Sequence, residues 1–168
     1  SMEFDGTDDY LNAGVLPDIF RNAFTTSAWV FTDTSSGGHQ ILSTGEGALS
    51  QLFQSSSALI IQVRGASVYS KTVSNYFSAD YQNRWVYVTV VYNGATIKAY
   101  RNGIEVNSDS LTLTLNSTGN SLNIGRWVGD AEYWNGKITE LGLFDRSLTP
   151  LEIASLYNQG MPTNLLVN

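Results

Sequence analysis

The sequence predicts an all-β domain in which antiparallel strands form a sandwich or a barrel, with two packed sheets as the expected arrangement. Short alternating segments, separated by clusters of Gly, Ser and Asn, follow one another along nearly the whole chain. Asn-Gly pairs at 93–94 and 102–103 fall between such segments and predict two successive hairpins. Only one helical pattern is present, near the C-terminal end, so the chain lacks the crossovers that parallel strands need.

The segment 85–106 is expected to supply three consecutive strands at the centre of the domain. Each Asn-Gly pair suits a type I′ turn, in which both central residues need positive φ. In the first of these strands, valines at every second position alternate with Tyr87, Thr89 and Val91. One face is therefore apolar and the other mixed, as expected for a strand well inside a sheet.

The remaining elements follow from alternation and from the turn residues that flank each segment. The other predicted strands cover residues 2–5, 10–13, 23–31, 40–43, 48–54, 58–64, 67–73, 121–126 and 136–144. A helical turn is expected at 16–18, loops at 32–39, 74–84 and 127–135, and an edge strand with a loop within 108–121. Trp29 and Trp85 lie in or at the start of strands and are expected to pack in the core or at a sheet edge, not to bind a ligand.

One helix is predicted over residues 151–159. Thr149 is expected to be its N-cap, Pro150 its first residue, and Glu152 the partner that completes a capping box. Gly160 follows as the terminator. The apolar stripe of this helix is expected to comprise Leu151, Ala154, Leu156 and Tyr157.

The chain has 168 residues and a mass of 18.4 kDa, enough for one domain with one core. The domain is expected to span residues 1–161, followed by a tail or linker at 162–168. The opening Ser1-Met2 pair is interpreted as an expression scar on a piece of a longer protein. The absence of cysteine excludes disulfides, thiolate metal sites and cysteine nucleophiles.

The charge pattern excludes one class of partner. The formal net charge is −6, and the nine Lys and Arg residues form no run, whereas nucleic-acid binding needs clustered cations. No apolar stretch reaches the roughly 18–20 residues that cross a bilayer, so no membrane insertion is expected. Few charges and many Ser, Thr, Asn and Gly residues are typical of secreted and particle-borne β-proteins.

Several short segments, taken together and in their order along the chain, resemble those of a known family. The segments are FDGTDDY at 4–10, SAWV at 27–30, Trp85 with YNG at 92–94, YRNG at 100–103, IGR at 124–126, NGKI at 135–138, FDRSLT at 144–149 and LY at 156–157. Together they resemble the laminin G-like domains of the concanavalin A-like superfamily, found in bacterial, algal and viral surface proteins. The resemblance implies an antiparallel jelly-roll sandwich of two curved sheets, whose concave face and rim loops often bind glycans or proteins.

One position departs from that family pattern. Such domains commonly have Ile-Asp-Glu in the last strand, where this chain has Ile138-Thr139-Glu140. In related jelly rolls this position can help to hold a structural calcium, an ion that takes about six to eight oxygen ligands. The missing carboxylate therefore weakens the prediction of such a site.

The chain is not expected to be an enzyme. The hydrolase branch of the superfamily carries a Glu-x-Asp-x-x-Glu type pattern on one strand, which places paired carboxylates in one cleft, and no such pattern occurs here. His39 is the only histidine, so neither a Ser-His-Asp set nor a multi-histidine zinc site can be assembled convincingly.

A candidate sugar site lies in the loop between Trp127 and Trp134, which also contains Asp130 and Tyr133. An indole ring can cover the apolar face of a pyranose, while carboxylate and hydroxyl groups bind its hydroxyls. The alternative for Trp134 is that it fills the end of the sandwich, as bulky aromatics at this place in the family often do.

Other aromatic and loop residues are secondary candidates for ligand contacts. His39 is expected in a loop, either simply exposed or at a binding rim. Tyr76, with its loop neighbours Phe77 and Tyr81, forms a possible second patch, and packing is the alternative. Tyr69 and Tyr100 are further candidates for the concave sheet surface, again with packing as the alternative.

Asp5, Asp8 and Asp9 are candidate ligands for Ca²⁺ together with nearby loop carbonyls. The favoured alternative is a turn in which the aspartates accept hydrogen bonds from backbone amides. No other cofactor is expected.

These patterns predict a non-catalytic, lectin-like module for carbohydrate binding or adhesion. It is expected to belong to a larger extracellular, cell-surface or virion-surface protein and to bind a glycan or cell-surface polysaccharide, with contacts to other domains of that protein. The alternative is a structural or protein–protein assembly domain, such as a decoration or fibre component, that binds no sugar.

Overall fold

Twelve strands form two six-stranded antiparallel sheets in the computed structural model, which describes residues 1–15, 21–32, 38–116, 121–129 and 132–159. The strands are β1 Met2–Asp5, β2 Leu11–Val15, β3 Phe24–Thr32, β4 Gly38–Ser43, β5 Gln51–Ser55, β6 Ala58–Arg64, β7 Val68–Val73, β8 Arg84–Tyr92, β9 Thr96–Arg101, β10 Ile104–Ser110, β11 Ser121–Ile124 and β12 Asn135–Phe144. A 3₁₀ turn covers Ala79–Tyr81, and one helix, α1, covers Pro150–Gln159. The predicted two-sheet jelly roll with a short C-terminal helix is confirmed.

The first sheet has the strand order β1-β12-β3-β8-β9-β10, and the second sheet has the order β2-β11-β4-β5-β6-β7. The predicted central meander is β8, β9 and β10 of the first sheet. In the second sheet, β4 to β7 form another meander. The first two strands join opposite sheets, so the N-terminal turn between them bridges one side of the sandwich.

Strand β8 is buried on both faces, as its sequence predicts. Every residue from Trp85 to Tyr92 is buried. Val86, Val88 and Val90 join the main core between the sheets, whereas Tyr87 and Val91 belong to clusters on the outer face of the first sheet. This strand therefore holds together the two hydrophobic layers of the domain.

One of the two predicted type I′ turns is confirmed and the other is wrong. Asn102 and Gly103 have φ values of 53° and 79°, as a type I′ turn requires. In the turn between β8 and β9, by contrast, positive φ occurs at Gly94 but not at Asn93. The Asn93 Oδ1 atom accepts hydrogen bonds from the backbone amides of Ala95 at 3.0 Å and Thr96 at 2.7 Å, so an Asx turn replaces the expected geometry.

The N-terminus of α1 is held by the predicted capping box. The Glu152 amide donates to Thr149 Oγ1 at 3.3 Å, and the Thr149 amide donates to Glu152 Oε2 at 2.8 Å. Hydrogen bonds from Arg146 and from Thr149 lower the pKa of Glu152 to about 2. The predicted terminator Gly160 lies outside the described residues.

The apolar stripe of α1 differs from the prediction. Leu151 is 84% exposed, whereas Ile153 is fully buried against the outer face of the first sheet. The Tyr157 ring stacks on Trp29 with 5.4 Å between the ring centroids. The stripe therefore begins at Ile153. The Leu151 side chain points to solvent, whereas Ile153 faces the sheet.

Several strand boundaries differ from the predictions. His39 lies in β4, not in a loop, and the third strand of the meander, β10, extends to Ser110. The separate edge strand predicted within 108–121 is wrong for the described residues 111–116, which form no strand. Leu115 forms only an isolated bridge with Gly65. The helical turn predicted at 16–18 and the tail at 162–168 lie outside the described residues.

The edge strands β7 and β10 of the two sheets are joined by polar contacts. Lys71 Nζ lies 2.8 Å from Asp109 Oδ2, and the Tyr69 hydroxyl donates to the same oxygen at 2.7 Å. These two hydrogen bonds lower the pKa of Asp109. Tyr69 packs against the core, and Tyr100 is buried beneath α1, so both take the packing role that was the alternative to a ligand site.

Candidate functional site

A groove of about 310 Å³ opens on the outer face of the second sheet, at the end where β4 leads into β5. This volume is at the lower end of the range of roughly 300–1,000 Å³ for small-molecule sites. The residues that line it are Thr44, Gly45, Glu46, Ser50, Gln51, Arg64, Ser121, Asn123, Trp127 and Val128. The helix packs on the other sheet, so α1 does not cover this face.

The floor of the groove is part of a row of uncharged polar side chains that crosses the second sheet. Side chains in register on neighbouring strands point to the same face. The register pairs place the row on all six strands, in the order Asn12, Asn123, Ser43, Gln51, Gln62 and Ser70. Amides and hydroxyls therefore form a continuous band, of which Asn123 and Gln51 lie in the groove.

One wall of the groove is formed by the chain after β11, which folds back over this row. The Ser43 hydroxyl donates to the backbone oxygen of Arg126 at 3.1 Å and fixes the start of the wall. Trp127 is half-buried there, and Gly129 lies so close to its ring that a Cβ atom would overlap it. The Val128 side chain packs against Gly45 on the opposite side.

The opposite wall is the turn at 44–50, which is held by its own hydrogen bonds. The Thr44 hydroxyl donates to the Leu49 carbonyl at 2.8 Å, and the Ser50 hydroxyl donates to the Gly45 carbonyl. Glu46, at the tip of this turn, forms an ion pair with Arg64 of β6. The two walls are therefore a fixed turn and a folded-back loop, with one positive and one negative charge at the rim.

A buried glutamine, Gln40, orients the groove floor. Its Nε2 atom donates to Gln51 Oε1 at 3.2 Å and to Glu132 Oε2 at 2.7 Å. The carbonyl of the Gln51 side chain is thereby occupied, while its Nε2 amide has no hydrogen-bond partner among the described residues. Gln51 consequently presents a hydrogen-bond donor to the groove.

The end of the loop is fixed by three contacts, two with β4 and one with the residue that follows β11. The Gln40 amide donates to the Glu132 carbonyl at 2.8 Å, and the Trp134 amide donates to the Gly125 carbonyl at 2.8 Å. His39 Nδ1 lies 2.9 Å from the carbonyl oxygen of Tyr133. These contacts hold the loop on the sheet and so define the position of the groove wall.

The structure separates the predicted ligand-binding residues into surface and core. Trp127 lines the groove, whereas Tyr133 and His39 are half-buried and are not among its lining residues. Trp134 is fully buried and Tyr76 is 1% exposed, so the prediction that their rings contact a ligand is corrected to core packing. Asp130 lies outside the described residues.

Sequence reasoning missed the remaining lining residues and the orienting Gln40. Glu46, Ser50 and Gln51 come from a segment predicted to be mostly strand, and Arg64 lies at the end of another strand. The sequence contains one local indication of a buried polar contact. Gln40 is the first residue of the predicted apolar strand, directly before Ile41.

Two of the three aspartates of the N-terminal turn, Asp5 and Asp9, accept hydrogen bonds from backbone amides. Asp5 Oδ1 accepts hydrogen bonds from the amides of Thr7 at 2.8 Å and Asp8 at 3.4 Å, and Asp9 Oδ2 accepts one from the Asp5 amide at 3.1 Å. Within the described part of the chain, no group of three or more His, Cys, Asp or Glu residues is arranged to hold a metal ion. The contacts match the favoured Asx-turn alternative.

We expect Asp5→Ala to lower the free energy of unfolding by about 1 kcal/mol, because two backbone amides lose their acceptor. The loss should be the same in calcium and in chelator, measured by thermal unfolding. Asp8→Ala, which removes no side-chain hydrogen bond of this turn, is the control and should change stability by less than about 0.5 kcal/mol. A melting temperature that rises with calcium in the unaltered protein, but not in Asp5→Ala, would instead show a calcium site.

Comparison with family models gives one match that covers most of the chain. Residues 5–154 match the model Laminin_G_3, described as concanavalin A-like lectin/glucanases superfamily. A comparison with curated proteins finds no match. Among the described residues, no helix has the length and apolar character needed to cross a membrane.

Solved structures with the same fold include several botulinum neurotoxin binding domains. The serotype G binding domain matches with a TM-score of 0.74 and 18% identity, over 96% of this chain and 43% of that one. A type C structure, titled for cell entry dependent upon interaction with two ganglioside molecules, matches with a TM-score of 0.65 and 19% identity, over 84% and 36%. The type DC domain in complex with rat synaptotagmin II matches with a TM-score of 0.67 and 17% identity, over 88% and 38%. The chain thus spans less than half of each matched domain, and the similarity shows a shared fold.

Proposed function

Because the chain belongs to the concanavalin A-like lectin/glucanases superfamily, we propose that it is a non-catalytic, lectin-like module that binds carbohydrate in the groove beside Trp127. The observation that carries this proposal is the composition of the groove. A half-buried indole lies next to an amide donor, a carboxylate and several hydroxyl groups, all on one open surface. We further propose that the module serves a larger extracellular, cell-surface or virion-surface protein.

The physical argument rests on how a sugar is recognised. A pyranose has apolar patches of C–H groups that pack on aromatic rings, and hydroxyls that both donate and accept hydrogen bonds. Trp127 and Val128 offer apolar surface, Gln51 offers a donor, and Glu46 offers an acceptor. The fixed turn at 44–50 and the anchored loop mean that little ordering entropy is lost on binding.

The same groove gives no support to hydrolysis. A glycosidase needs two carboxyl groups, about 5–5.5 Å apart for retention or about 6.5–9.5 Å apart for inversion. Among the described lining residues, Glu46 is the only carboxylate, and it is paired with Arg64. A binding role therefore accounts for the lining better than a catalytic one.

The structural neighbours add a coarser kind of support. Cell entry of the type C toxin depends upon interaction with two ganglioside molecules, and the type DC binding domain forms a complex with rat synaptotagmin II, which suits a surface glycan or protein as partner. Since this chain matches less than half of each domain, neither interaction is assigned to the matched portion. The groove itself is therefore the main support for glycan binding.

The alternative, an assembly domain without sugar binding, has less support. The large exposed apolar residues are spread over both sheets, the helix and the loops, and two strands carry a pair each, Leu11 with Val15 on β2 and Ile104 with Val106 on β10. Single exposed apolar side chains are ordinary on a soluble protein, and it is contiguous patches that mark interfaces.

We expect Gln51→Ala to weaken glycan binding about tenfold, because a hydrogen bond of about 1.4 kcal/mol is lost. Trp127→Ala should weaken it further, since the stacking surface is lost as well. Binding to a broad glycan array, followed by calorimetry on the best hit, measures both effects.

Gln62→Ala is the matched control for this experiment. Gln62 is the register partner of Gln51 on β6 and faces the same side of the sheet, but it does not line the groove. Its substitution should leave affinity unchanged. Equal losses for Gln51→Ala and Gln62→Ala, or binding that is indifferent to Trp127→Ala, would place the ligand elsewhere.

A further inference from the structure

We infer that the groove takes uncharged sugars and rejects glycans that carry sialic acid, uronic acid or sulfate. This inference rests on the proposed function and adds the chemical class of the ligand. It follows from the positions of the positive charges in the whole protein, from the charges at the groove and from the orientation of Gln51.

All nine Lys and Arg residues lie in the described part of the chain, so each can be placed on the fold. Five of them form ion pairs with described carboxylates, namely Arg64 with Glu46, Lys71 with Asp109, Lys98 with Glu105, Lys137 with Glu3, and Arg146 with Glu152. Recognition of an anionic glycan needs several cations on one surface that are not already neutralised. More than half of the cations in this chain are already paired.

The other four cations do not form a cluster. The Arg101 guanidinium lies 3.9 Å from the Tyr81 ring centroid, and the Arg126 guanidinium lies 3.4 Å from that of Tyr10. Arg84 lies at the end of β8 that pairs with the last residue of β3, whereas Arg21 precedes the first residue of β3. These two arginines are therefore at opposite ends of the sandwich. Of the four, Arg126 is next to the groove, where its guanidinium lies 3.4 Å from Asn123 Oδ1 and over the Tyr10 ring.

Within the groove, the two charged groups of the described lining neutralise each other. Arg64 Nη1 binds Glu46 Oε2, and the rest of the described lining is uncharged. An anionic ligand would have to displace Glu46 from Arg64, and the displaced carboxylate would then repel it. In addition, the whole chain has a net charge of −6, which opposes the approach of any anion.

The uncharged groups of the groove suit hydroxyls. Gln40 donates to the carbonyl oxygen of Gln51, which leaves the Gln51 Nε2 group to donate to a ligand, while the Glu46 carboxylate can only accept. A sugar hydroxyl does both and can satisfy either group or bridge them. The donor on the groove floor, Gln51, and the acceptor at its rim, Glu46, therefore favour a neutral ligand with several hydroxyl groups.

The test compares matched glycans that differ in charge. The probes are N-acetyllactosamine with and without a terminal sialic acid, and xylohexaose against hexagalacturonate, printed on an array that also carries neutral and sulfated pairs. We expect neutral members to bind and charged members to bind at least about tenfold more weakly, as one close like charge would cause. Neutral binding should change less than about twofold between low and high salt, because no ion pair to the ligand is screened.

A charge variant gives the converse result. Glu46→Gln leaves Arg64 without its carboxylate partner, and we expect the charged probes to gain about tenfold in affinity. Glu105→Gln removes a carboxylate that is paired with Lys98 on the first sheet and should produce no gain. A preference for charged probes, steep salt dependence, or no gain in Glu46→Gln would each overturn the inference. Equal binding of neutral and charged probes overturns it while leaving the proposed function intact, whereas no glycan binding at all overturns both.

Discussion

Trp134→Ala is expected to lower the free energy of unfolding by about 3–5 kcal/mol, the range for removing a large aromatic side chain from a core. The ring is fully buried in the main core, and its edge faces His39 with 6.5 Å between the ring centroids. The residue also ends the loop that forms the groove wall. Equilibrium unfolding in urea, followed by circular dichroism, measures the change.

Trp127→Ala provides the comparison within the same loop. Its ring is only half-buried, so its removal should cost clearly less, about 1–2 kcal/mol. We therefore expect Trp134→Ala to lower stability more than Trp127→Ala does, and Trp127→Ala to lower glycan affinity more than Trp134→Ala does. Equal destabilisation by the two substitutions would contradict the assignment of one ring to the core and one to the surface.

Gly136→Ala is expected to destabilise the protein by about 3 kcal/mol or more, near the upper end of single substitutions. Gly136 has a φ of 133°, a conformation that side chains rarely adopt, and an added Cβ would overlap the carbonyl oxygen of Phe31. That overlap is with backbone of the neighbouring strand β3, which cannot move without breaking the centre of the first sheet. Thermal and urea unfolding measure the loss.

Gly14→Ala is the matched control, because it adds the same methyl group at a positive φ of 78° with no other atom within 4 Å. Only the backbone strain of about 1–2 kcal/mol should remain there. The difference between the two variants therefore measures the close approach of β12 to β3 together with the greater backbone strain at a φ of 133° than at 78°. Similar costs would show that conformation alone, and not the contact with Phe31, makes glycine necessary at 136.

The elements that the sequence predicts best are those coded by local chemistry. The capping box of Thr149 and Glu152 and the turn at Asn102 and Gly103 depend on groups a few residues apart, and both form as predicted. The prediction for the turn at Asn93 is wrong for an equally local reason. An asparagine can adopt positive φ in a type I′ turn, or its side chain can accept hydrogen bonds from the following backbone amides, as it does here. Strand alternation likewise identifies β8 as buried on both faces.

The candidate site was less predictable because its contacts are distant in sequence. Gln40 touches Gln51 and Glu132, and only the register of β4 and β5 with the loop at 132 brings these three together. In a strand or helix, the regular alternation of side chains indicates which residues face inward. A loop has no such regular pattern, so the sequence does not show which of its two tryptophans is buried. For that reason both Trp127 and Trp134 were candidates, and burial in the folded structure distinguishes them.

The position of β12 in the first sheet has a consequence for synthesis of the chain. This strand is inserted between β1 and β3, although it comes near the end of the sequence. While a ribosome is still making residues 135–144, the apolar strand β3 has an unpaired edge, of the kind that invites aggregation. Pairing on this side of β3 must therefore wait until residues 135–144 have been made, and until then the β3 edge is an expected site of aggregation.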